Sequence, residues 1–346
     1  MVNDTNINER QKDILKQIIK SGSVSRGQIA TEFSKITAVR DLKGLVELKL
    51  IRPVGGGRST QYILVEKNPH LYYLDKIDYF TNDLDLRGAQ TSFNQKIFKN
   101  IGPLFSAEEI KQLQKQAAGF SQRGKNLDKT IYKRELERFI IEFAWKSSQI
   151  EGNTYDLLET ETLIKQRQEA VGHSHEEAIM ILNHKDAFDS IIKNKQDFKT
   201  LNFSDILQLH NLLTKGLEIG AGIRSQPVAI TGTLYRPLQG KIELKTAVRQ
   251  TIKLINQTEF PPAKALLAAS FIAYIQPFND GNKRTARNLA NAILLAYDYF
   301  PLSYRAVDVN DYRRAMIIFY EQNNLYHLKQ MFVEQLDFSR NNYFRT

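Results

Sequence analysis

Residues 276–287 read QPFNDGNKRTAR and connect two apolar stretches, Ala265–Ile275 and Leu289–Leu295. A turn of Pro, Asn, Asp and Gly between two apolar runs predicts two buried helices joined by a tight loop. Backbone amides at the start of the second helix attract anions, and Arg284 and Arg287 lie one helical turn apart, so both can reach the same anionic group. We therefore expect a phosphate-binding turn at this point.

Asp280 lies in the same turn, four residues before Arg284. Its carboxylate is a hard oxygen ligand of the kind that Mg²⁺ uses when the ion bridges phosphate groups. A polyphosphate with its magnesium ion fits this set of residues.

The composition is that of an ordinary folded protein. A chain of 346 residues with 42% hydrophobic and 25% charged residues suits two or three units. No apolar run reaches the roughly 18 residues needed to span a bilayer, and residues 1–10 are polar, so we expect no membrane segment and no export. The absence of cysteine excludes disulfides and thiolate metal sites, and it fits a cytoplasmic location.

The net charge of +10 favours anionic partners, and its distribution is uneven. Residues 1–65 contain 11 Lys and Arg against 6 Asp and Glu, a net of +5, so half of the excess lies in a fifth of the chain. This bias points to nucleic-acid binding by the N-terminal region.

The first 65 residues predict three helices followed by a hairpin. The first helix covers Glu9–Lys20, Ser25 caps a second over Arg26–Phe33, and Thr37 caps a third. A glycine-rich loop at residues 55–60 then lies between two strand-like runs.

This order resembles the winged helix-turn-helix of bacterial regulators, in which the third helix enters the major groove and the wing touches the DNA backbone. The resemblance implies a small α+β winged-helix domain over residues 1–65. A module of this kind can instead dock another protein without contacting DNA, and that alternative stays open. The nominated DNA-binding residues are Lys35, Thr37, Arg40, Lys43 and Arg58.

The rest of the chain predicts a connector and a large helical region. Residues 66–104 are rich in Tyr, Phe, Asn and Asp and predict a connector packed by its aromatics, whereas residues 105–346 are mainly α. Two short apolar runs in Gln226–Pro237 flank Thr231-Gly232 and predict a β-hairpin. The predicted helices are Ser106–Gly119, Asp128–Ser148, Thr160–Gln168, Glu176–Lys193, Phe203–Lys215, Leu244–Gln257, Pro262–Ile275, Arg284–Tyr299 and Val309–Gln335.

Residues 276–287 are similar to the signature of the Fic family, HPFx(D/E)GN(G/K)RxxR. The resemblance implies an all-helical Fic fold over about residues 100–340, which binds ATP with Mg²⁺ and transfers AMP to a hydroxyl side chain of a target protein. On matching positions Asp280 would hold the metal ion and Phe278 would anchor the loop. The catalytic residues would be Gln276, at the position of the motif histidine, with Asn282 and Arg284. The residues that would bind the nucleotide are Gly281, Asn282, Lys283, Arg284 and Arg287.

Two further segments resemble parts of the same family. Residues 147–153, SSQIEGN, look like its inhibitory motif, carried on a helix at about residues 128–153. Glu151 would then pair with Arg287, so that ATP binds only in an unproductive pose. The predicted hairpin resembles the flap that clamps a target segment by strand addition. The inhibitory residues are Ser147, Glu151 and Gly152, and the flap residues are Val228, Ile230, Thr231 and Gly232.

The sequence departs from the signature in one place and varies it in another. Gln276 stands where the family has its histidine, and a neutral amide cannot take the proton from an attacking hydroxyl near pH 7. The general-base contribution, typically 10² to 10⁴-fold, should be lost. Three explanations remain open: a naturally degenerate enzyme, a substitution introduced to trap a complex, or an enzyme that uses another base. Lys283 also occurs in the Doc branch, which transfers phosphate instead of AMP.

Two hypotheses follow. The first is a self-restrained, Mg-dependent protein adenylyltransferase scaffold, weak or inactive because of Gln276. The second is a DNA-binding transcriptional regulator in which a degenerate Fic fold senses ATP or ADP. The expected partners are ATP, a target protein and DNA, with no membrane, and a homodimer is left open.

Overall fold

A computed structural model describes residues 7–32 and 34–344, except the side chains of residues 58, 118, 119, 121, 122, 124 and 125. The chain forms two compact units. The first comprises Met1–Arg87 with Asn324–Tyr326, and the second comprises Gly88–Asn323 with His327–Thr346. In this described part of the chain, each helix is too short or too polar to cross a membrane.

The first unit combines helices with a small antiparallel sheet in the order β1-β3-β2. Val24 pairs with Tyr62, and Ile51 pairs with Leu64. Its core is formed by apolar side chains that face inward from the helices and β2, among them Ile14, Ile29 and Leu42. The elements are α1 (Glu9–Ser21), β1 (Val24–Ser25), α2 (Arg26–Glu32), α3 (Lys35–Glu47), β2 (Ile51–Val54), β3 (Gln61–Leu64) and α4 (Lys76–Thr81).

Helix α3 begins three residues earlier than predicted. Ser34, not Thr37, is the N-cap, because its extended backbone lets its Oγ accept a hydrogen bond from the Thr37 amide at 3.2 Å. The Thr37 hydroxyl lies 2.8 Å from the Ser34 hydroxyl within the first turn. The predicted end of the second helix, Phe33, lies outside the described residues.

The second unit is mainly helical, as expected from the sequence. Two of its helices, α12 and α13, pack along each other, and α13 also contacts α7, α9 and α10. The helices are α5 (Ile97–Asn100), α6 (Ala107–Asn126), α7 (Lys129–Ile150), α8 (Leu157–Gln166), α9 (His175–Lys193), α10 (Phe203–Thr214), α11 (Lys241–Gln257), α12 (Pro261–Ile275), α13 (Asn282–Ala296), α14 (Val309–Gln322) and α15 (Tyr326–Asn342).

Helix α12 forms the centre of this unit because it is apolar on nearly all sides, and such a helix must be buried. It ends at Gln276, whose backbone adopts the left-handed conformation with φ of +51°, and Pro277 follows, which disfavours further helix. The chain then re-enters a helix at Asn282, five residues after Pro277. The predicted pair of buried helices joined by a tight loop is therefore confirmed.

Two predicted elements are wrong. The single helix over Val309–Gln335 is divided into α14 and α15, because Asn323 adopts the left-handed conformation with φ of +50°. The hairpin over Gln226–Pro237 is an extended loop with a turn at Thr231-Gly232, and no strand pairing is assigned within it. The Arg224 guanidinium donates to the carbonyls of Gln226 and Leu238, so acceptors at both ends of the loop are engaged by a side chain. Proline at 227 and 237 also removes two amide donors.

Candidate functional site

The loop between α12 and α13 is held in shape by its own side chains. The Asn282 carboxamide accepts from the Phe278 amide at 2.8 Å and donates to the Phe278 carbonyl at 2.9 Å. The Phe278 ring is fully buried and stacks on His210 with the ring centroids 3.7 Å apart. His210 Nε2 lies 3.0 Å from the Asp280 carbonyl. Asn282, predicted to line the anion site, thus braces the loop with its side chain.

The start of α13 is left open to an anion. The first amides of a helix have no partner within it, and they are usually satisfied by an oxygen on the N-cap side chain. Here the N-cap is Gly281, with φ of +77° and no side chain. The positive φ favours glycine, and a Cβ at this position would lie 3.1 Å from Thr214 Cγ2, a tight contact that Thr214 would have to relieve by moving.

Arg284 is almost completely buried, at 2% exposure, and is held beneath the loop. Its guanidinium donates to the Leu213 carbonyl at 3.2 Å and to Asp280 Oδ2 at 3.0 Å. The Asp280 side chain is 68% exposed, so its carboxylate faces solvent while it pairs with Arg284.

The surroundings of Asp280 fit one kind of magnesium site. Among residues 7–32 and 34–344 no cluster of three or more His, Cys, Asp or Glu could enclose a metal ion. Mg²⁺ is commonly bound through one or two carboxylates together with substrate phosphates and water, and an exposed single carboxylate beside an anion site suits that mode. Asp280 is therefore the residue that would hold the ion.

Arg287 lies one turn further along α13 and is completely buried. Its Nε donates to the Ser147 hydroxyl and its Nη2 to the Ser147 carbonyl, both at 2.9 Å. The Tyr312 ring lies 5.5 Å from its guanidinium carbon. Three directions around this cation are thus occupied by fixed groups, and the fourth faces Glu151.

Glu151 is the residue that ends α7, and its carboxylate joins two cations of α13. Glu151 Oε1 lies 2.8 Å from Arg287 Nη1, and Oε2 lies 2.8 Å from Lys283 Nζ. Burial alone would raise the pKa of Glu151, but the charges of Arg287 and Lys283 outweigh burial and lower its pKa to about 2. The carboxylate is therefore ionised at any physiological pH, and it lies against the side chains of two cations in the first two turns of α13. Gly152, with φ of +103°, turns the chain away after it.

The region around α10 to α13 is similar to known proteins. Residues 200–294 match the model of the Fic/DOC family. A Fic/DOC domain thus lies at residues 200–294. A protein adenylyltransferase Fic from Aedes aegypti is 31% identical over 179 residues, which cover 49% of this chain and 35% of that protein. A protein adenylyltransferase Fic from Nematostella vectensis is 29% identical over 184 residues, which cover 52% of this chain and 43% of that protein. The chain thus spans well under half of these relatives.

Solved structures of Fic proteins have a fold similar to that of this chain. A Fic family protein from Desulfovibrio desulfuricans superposes with a TM-score of 0.57 at 20% identity, covering 69% of this chain and 75% of that one. A Fic-domain signalling protein from Bacteroides thetaiotaomicron gives 0.55 at 21% identity, covering 68% and 98% respectively. At these identities the likeness concerns the Fic fold alone.

Gln276, which the sequence predicts at the position of the signature histidine, has its side chain turned back onto its own helix. Its Nε2 donates to the Ala273 carbonyl at 2.7 Å, and 8% of the residue is exposed. An amide so placed offers no basic lone pair to a substrate hydroxyl. The left-handed backbone at a residue other than glycine is itself strained, and surrounding bonds such as Arg224 Nε to the Gln276 carbonyl at 2.7 Å maintain it.

Arg224 was not predicted as a site residue, although it links Gln276 to both ends of the segment that was predicted as a flap. Its guanidinium is buried and reaches the Gln276 carbonyl and the two ends of the loop at Gln226 and Leu238. The available signal was an arginine placed directly before the flap segment. Tyr312, which lies against Arg287, had no signal in the sequence.

Within the segment predicted as the flap, Val228 and Ile230 are half-buried, whereas Thr231 and Gly232 are exposed. The intervening Ala229 is exposed, so the side chains alternate as they do along a strand. The flap residues thus keep the alternation of a strand without a hairpin partner.

The nominated DNA-binding residues belong to the other unit. Lys35, Arg40 and Lys43 are exposed along α3, and Thr37 is half-buried in its first turn. The side chain of Arg58 lies outside the described residues.

Proposed function

We propose that this chain is a Fic-type protein adenylyltransferase scaffold that restrains itself through Glu151 and is weakened by Gln276. The observation that carries the proposal is the Glu151 carboxylate held between Arg287 and Lys283 at the uncapped start of α13. An anion already occupies this position, so the surrounding charges suit the phosphates of ATP once the carboxylate leaves. The likeness to relatives named protein adenylyltransferase supports the same activity.

In this proposal the first amides of α13 and the two arginines bind the triphosphate. Arg284 pairs with Asp280, whereas Arg287 and Lys283 share the Glu151 carboxylate, so each arginine is next to a different carboxylate of the site. Mg²⁺ held by Asp280 would neutralise charge on the phosphate oxygens. The target hydroxyl oxygen forms a bond to the α phosphorus, the bond from that phosphorus to the bridging oxygen breaks, and pyrophosphate leaves. The hydroxyl proton needs an acceptor near position 276, which glutamine does not provide.

Restraint by Glu151 follows from competition between anions. Arg287 donates to Ser147 on one side and pairs with Glu151 on the other, so the end of α7 occupies the arginine that would orient the terminal phosphate. A nucleotide bound beside the intact pair would be displaced from the productive position, and a small displacement costs a large factor in rate.

The flap would present a target segment to the site. An extended stretch with alternating side chains can accept a strand from another chain through its backbone groups. Arg224 ties both ends of this stretch to the Gln276 carbonyl, so a segment bound there would be positioned relative to the motif.

The test uses ATP labelled at either the α or the γ phosphorus, because AMP transfer moves only the first label and phosphate transfer only the second. Four proteins are compared: the chain as given, Gln276→His, Glu151→Gly and the double variant. We expect the double variant to label itself or an added protein with the α label, about 10² to 10⁴-fold above Glu151→Gly alone. Glu169→Gly, which removes an exposed loop carboxylate, serves as the matched control. Equal labelling by all four proteins would refute the argument from the missing base, and transfer of the γ label would reassign the reaction to phosphate.

A second candidate is a DNA-binding regulator in which the Fic domain senses a nucleotide. It is favoured by Gln276 together with the order α1-β1-α2-α3-β2-β3, which is the order of a winged helix, and by the exposed cations of α3. In this candidate residues 1–65 bind DNA, 66–104 connect, and 105–346 bind the nucleotide.

DNA binding is tested by footprinting on the DNA adjoining the encoding gene, with and without ATP. Arg40→Ala should abolish protection if Arg40 reads a base edge, and the affinity should fall steeply with salt. Lys165→Ala, an exposed cation of α8, is the control and should leave the footprint unchanged. Protection that survives Arg40→Ala removes that residue from the DNA-binding set.

A further inference from the structure

Lys283 contacts Glu151 as closely as Arg287 does. Its Nζ lies 2.8 Å from Glu151 Oε2, and Arg287 Nη1 lies 2.8 Å from the other oxygen. The carboxylate therefore bridges two cations, and each of its oxygens faces one of them. A restraint that relied on Arg287 alone would leave one oxygen free.

The position of Lys283 is unfavourable unless an anion is present. It is the second residue of α13, and a cation in the first turn of a helix is opposed by the helix dipole. Lys283 and Arg287 are also four residues apart on one face of α13, where like charges repel. A negative group between them offsets both costs, and Glu151 is that group in this structure.

Arg284 cannot replace Lys283 in this arrangement. Its guanidinium is directed to the Leu213 carbonyl and to Asp280 on the other side of the loop. The Lys283 side chain, by contrast, is 29% exposed and carries a flexible four-carbon stem, so it can follow one anion or exchange it for another.

Resting on the proposed function, we propose that Lys283 has two alternative partners: it is a second latch on Glu151 in the restrained state, and it contacts the terminal phosphate of a nucleoside triphosphate when Glu151 has left. Lys283 then contributes both to the restraint and to the preference for triphosphate over diphosphate. Removing the Lys283 side chain should therefore change nucleotide affinity by different amounts in the presence and in the absence of Glu151.

The experiment is a double-mutant cycle in the full chain, with the chain as given, Lys283→Met, Glu151→Gly and the double variant. Calorimetry gives the Kd for Mg-ATP and for Mg-ADP. With glycine at 151, we expect Lys283→Met to weaken Mg-ATP about tenfold, the size of one charge-assisted contact, and Mg-ADP about twofold at most. With Glu151 present, the same substitution should weaken Mg-ATP less or strengthen it, because a latch is lost along with a contact. Lys283→Arg should retain the preference for ATP.

The control is Lys165→Met, which removes an exposed lysine paired with Glu161 at 2.6 Å on the surface of α8 and should change neither Kd. Equal effects of Lys283→Met in both backgrounds, or equal weakening of ATP and ADP, would overturn the inference. If Glu151→Gly itself binds no Mg-ATP, the proposed function fails and the phosphate contact with it. The latch is still measured separately, because urea denaturation without nucleotide should show that removing Glu151 and Lys283 together costs less than the sum of the single losses.

Discussion

Helices α13 and α3 both carry cations near their N-termini, but their surroundings differ. In α13 the arginines are buried, at 2% exposure for Arg284 and 0% for Arg287, and each is held by fixed partners. In α3 the cations Lys35, Arg40 and Lys43 are exposed. A buried charged side chain must be paired or hydrogen-bonded by other residues of the fold, because burial removes its water. An exposed charged side chain stays solvated and needs almost no such partner.

The two helix starts differ in the same way. Ser34 closes the start of α3 with its own hydroxyl, whereas Gly281 leaves the start of α13 without a side-chain cap. The closed start stabilises the helix locally, and the open start keeps backbone amides free to attract an anion. The start of α13 therefore depends on specific residues, which form a recognisable sequence signature. The start of α3 does not, so only charge and periodicity suggest a role for that helix.

The largest expected effect that separates the two regions is on stability. Arg287→Met should lower the free energy of unfolding by about 3 to 5 kcal/mol, because it removes one partner of a buried ion pair and the bonds to Ser147. Arg40→Met should leave stability unchanged within error, since that side chain is exposed. Urea denaturation followed by fluorescence of Trp145, the single tryptophan, reports the unit that contains Arg287, and circular dichroism follows both units. A similar loss in both variants would contradict the contrast between buried and exposed cations.

An intermediate effect is expected when glycine is replaced in the two regions. Gly281→Ala should destabilise by about 1 to 3 kcal/mol, since φ of +77° is strained for alanine and the new Cβ would lie 3.1 Å from Thr214 Cγ2. Gly27→Ala, in the exposed face of α2, should instead stabilise by up to about 1 kcal/mol. Thermal denaturation of both variants measures whether each substitution lowers or raises the stability. A Gly281→Ala protein as stable as the original would show that the open start does not depend on glycine.

The helical architecture could be predicted because apolar periodicity sets most helix positions. Helix α10, predicted over Phe203–Lys215, covers Phe203–Thr214, and α12 begins one residue from its predicted start. The joint between α14 and α15 could not be predicted, because apolar side chains continue on both sides of Asn323 and only its left-handed backbone separates the helices. A change of that kind depends on local dihedral angles, which periodicity does not report.

The site was predictable where one short stretch contains the chemistry, and not where distant segments meet. Residues 276–287 directly indicated a loop followed by a helix that carries two arginines, and the pairing of Glu151 with Arg287 came from the family resemblance. The ion pair between Lys283 and Glu151 joins residues 132 positions apart (283 − 151), and no local pattern signals it. The flap hairpin was wrong for a similar reason, since Arg224 engages backbone carbonyls that a strand ladder would use.

The smallest effect is expected from pH, and it tests whether the buried cluster of α13 stays charged. Glu151 has a pKa of about 2 in the folded chain against 4.5 as its ordinary value. A carboxylate with a lowered pKa contributes stability that is fully present above its unfolded pKa and is lost as the pH falls toward the folded value. The difference in stability between the chain and Glu151→Gln should therefore be constant from pH 6 to pH 8 and shrink only as the pH falls from about 4.5 toward 2.

His184 is a further titratable group electrostatically coupled to this cluster, through Arg284, Arg287 and Glu151. Burial lowers its pKa well below 6.5, and the two arginines lower it further, so the ring should stay neutral over the same range. The His184→Gln variant should therefore show the same flat difference between pH 6 and pH 8. Urea titrations at four pH values measure both, and a difference that changes between pH 6 and pH 8 would mean that Glu151 is not held between two cations in solution.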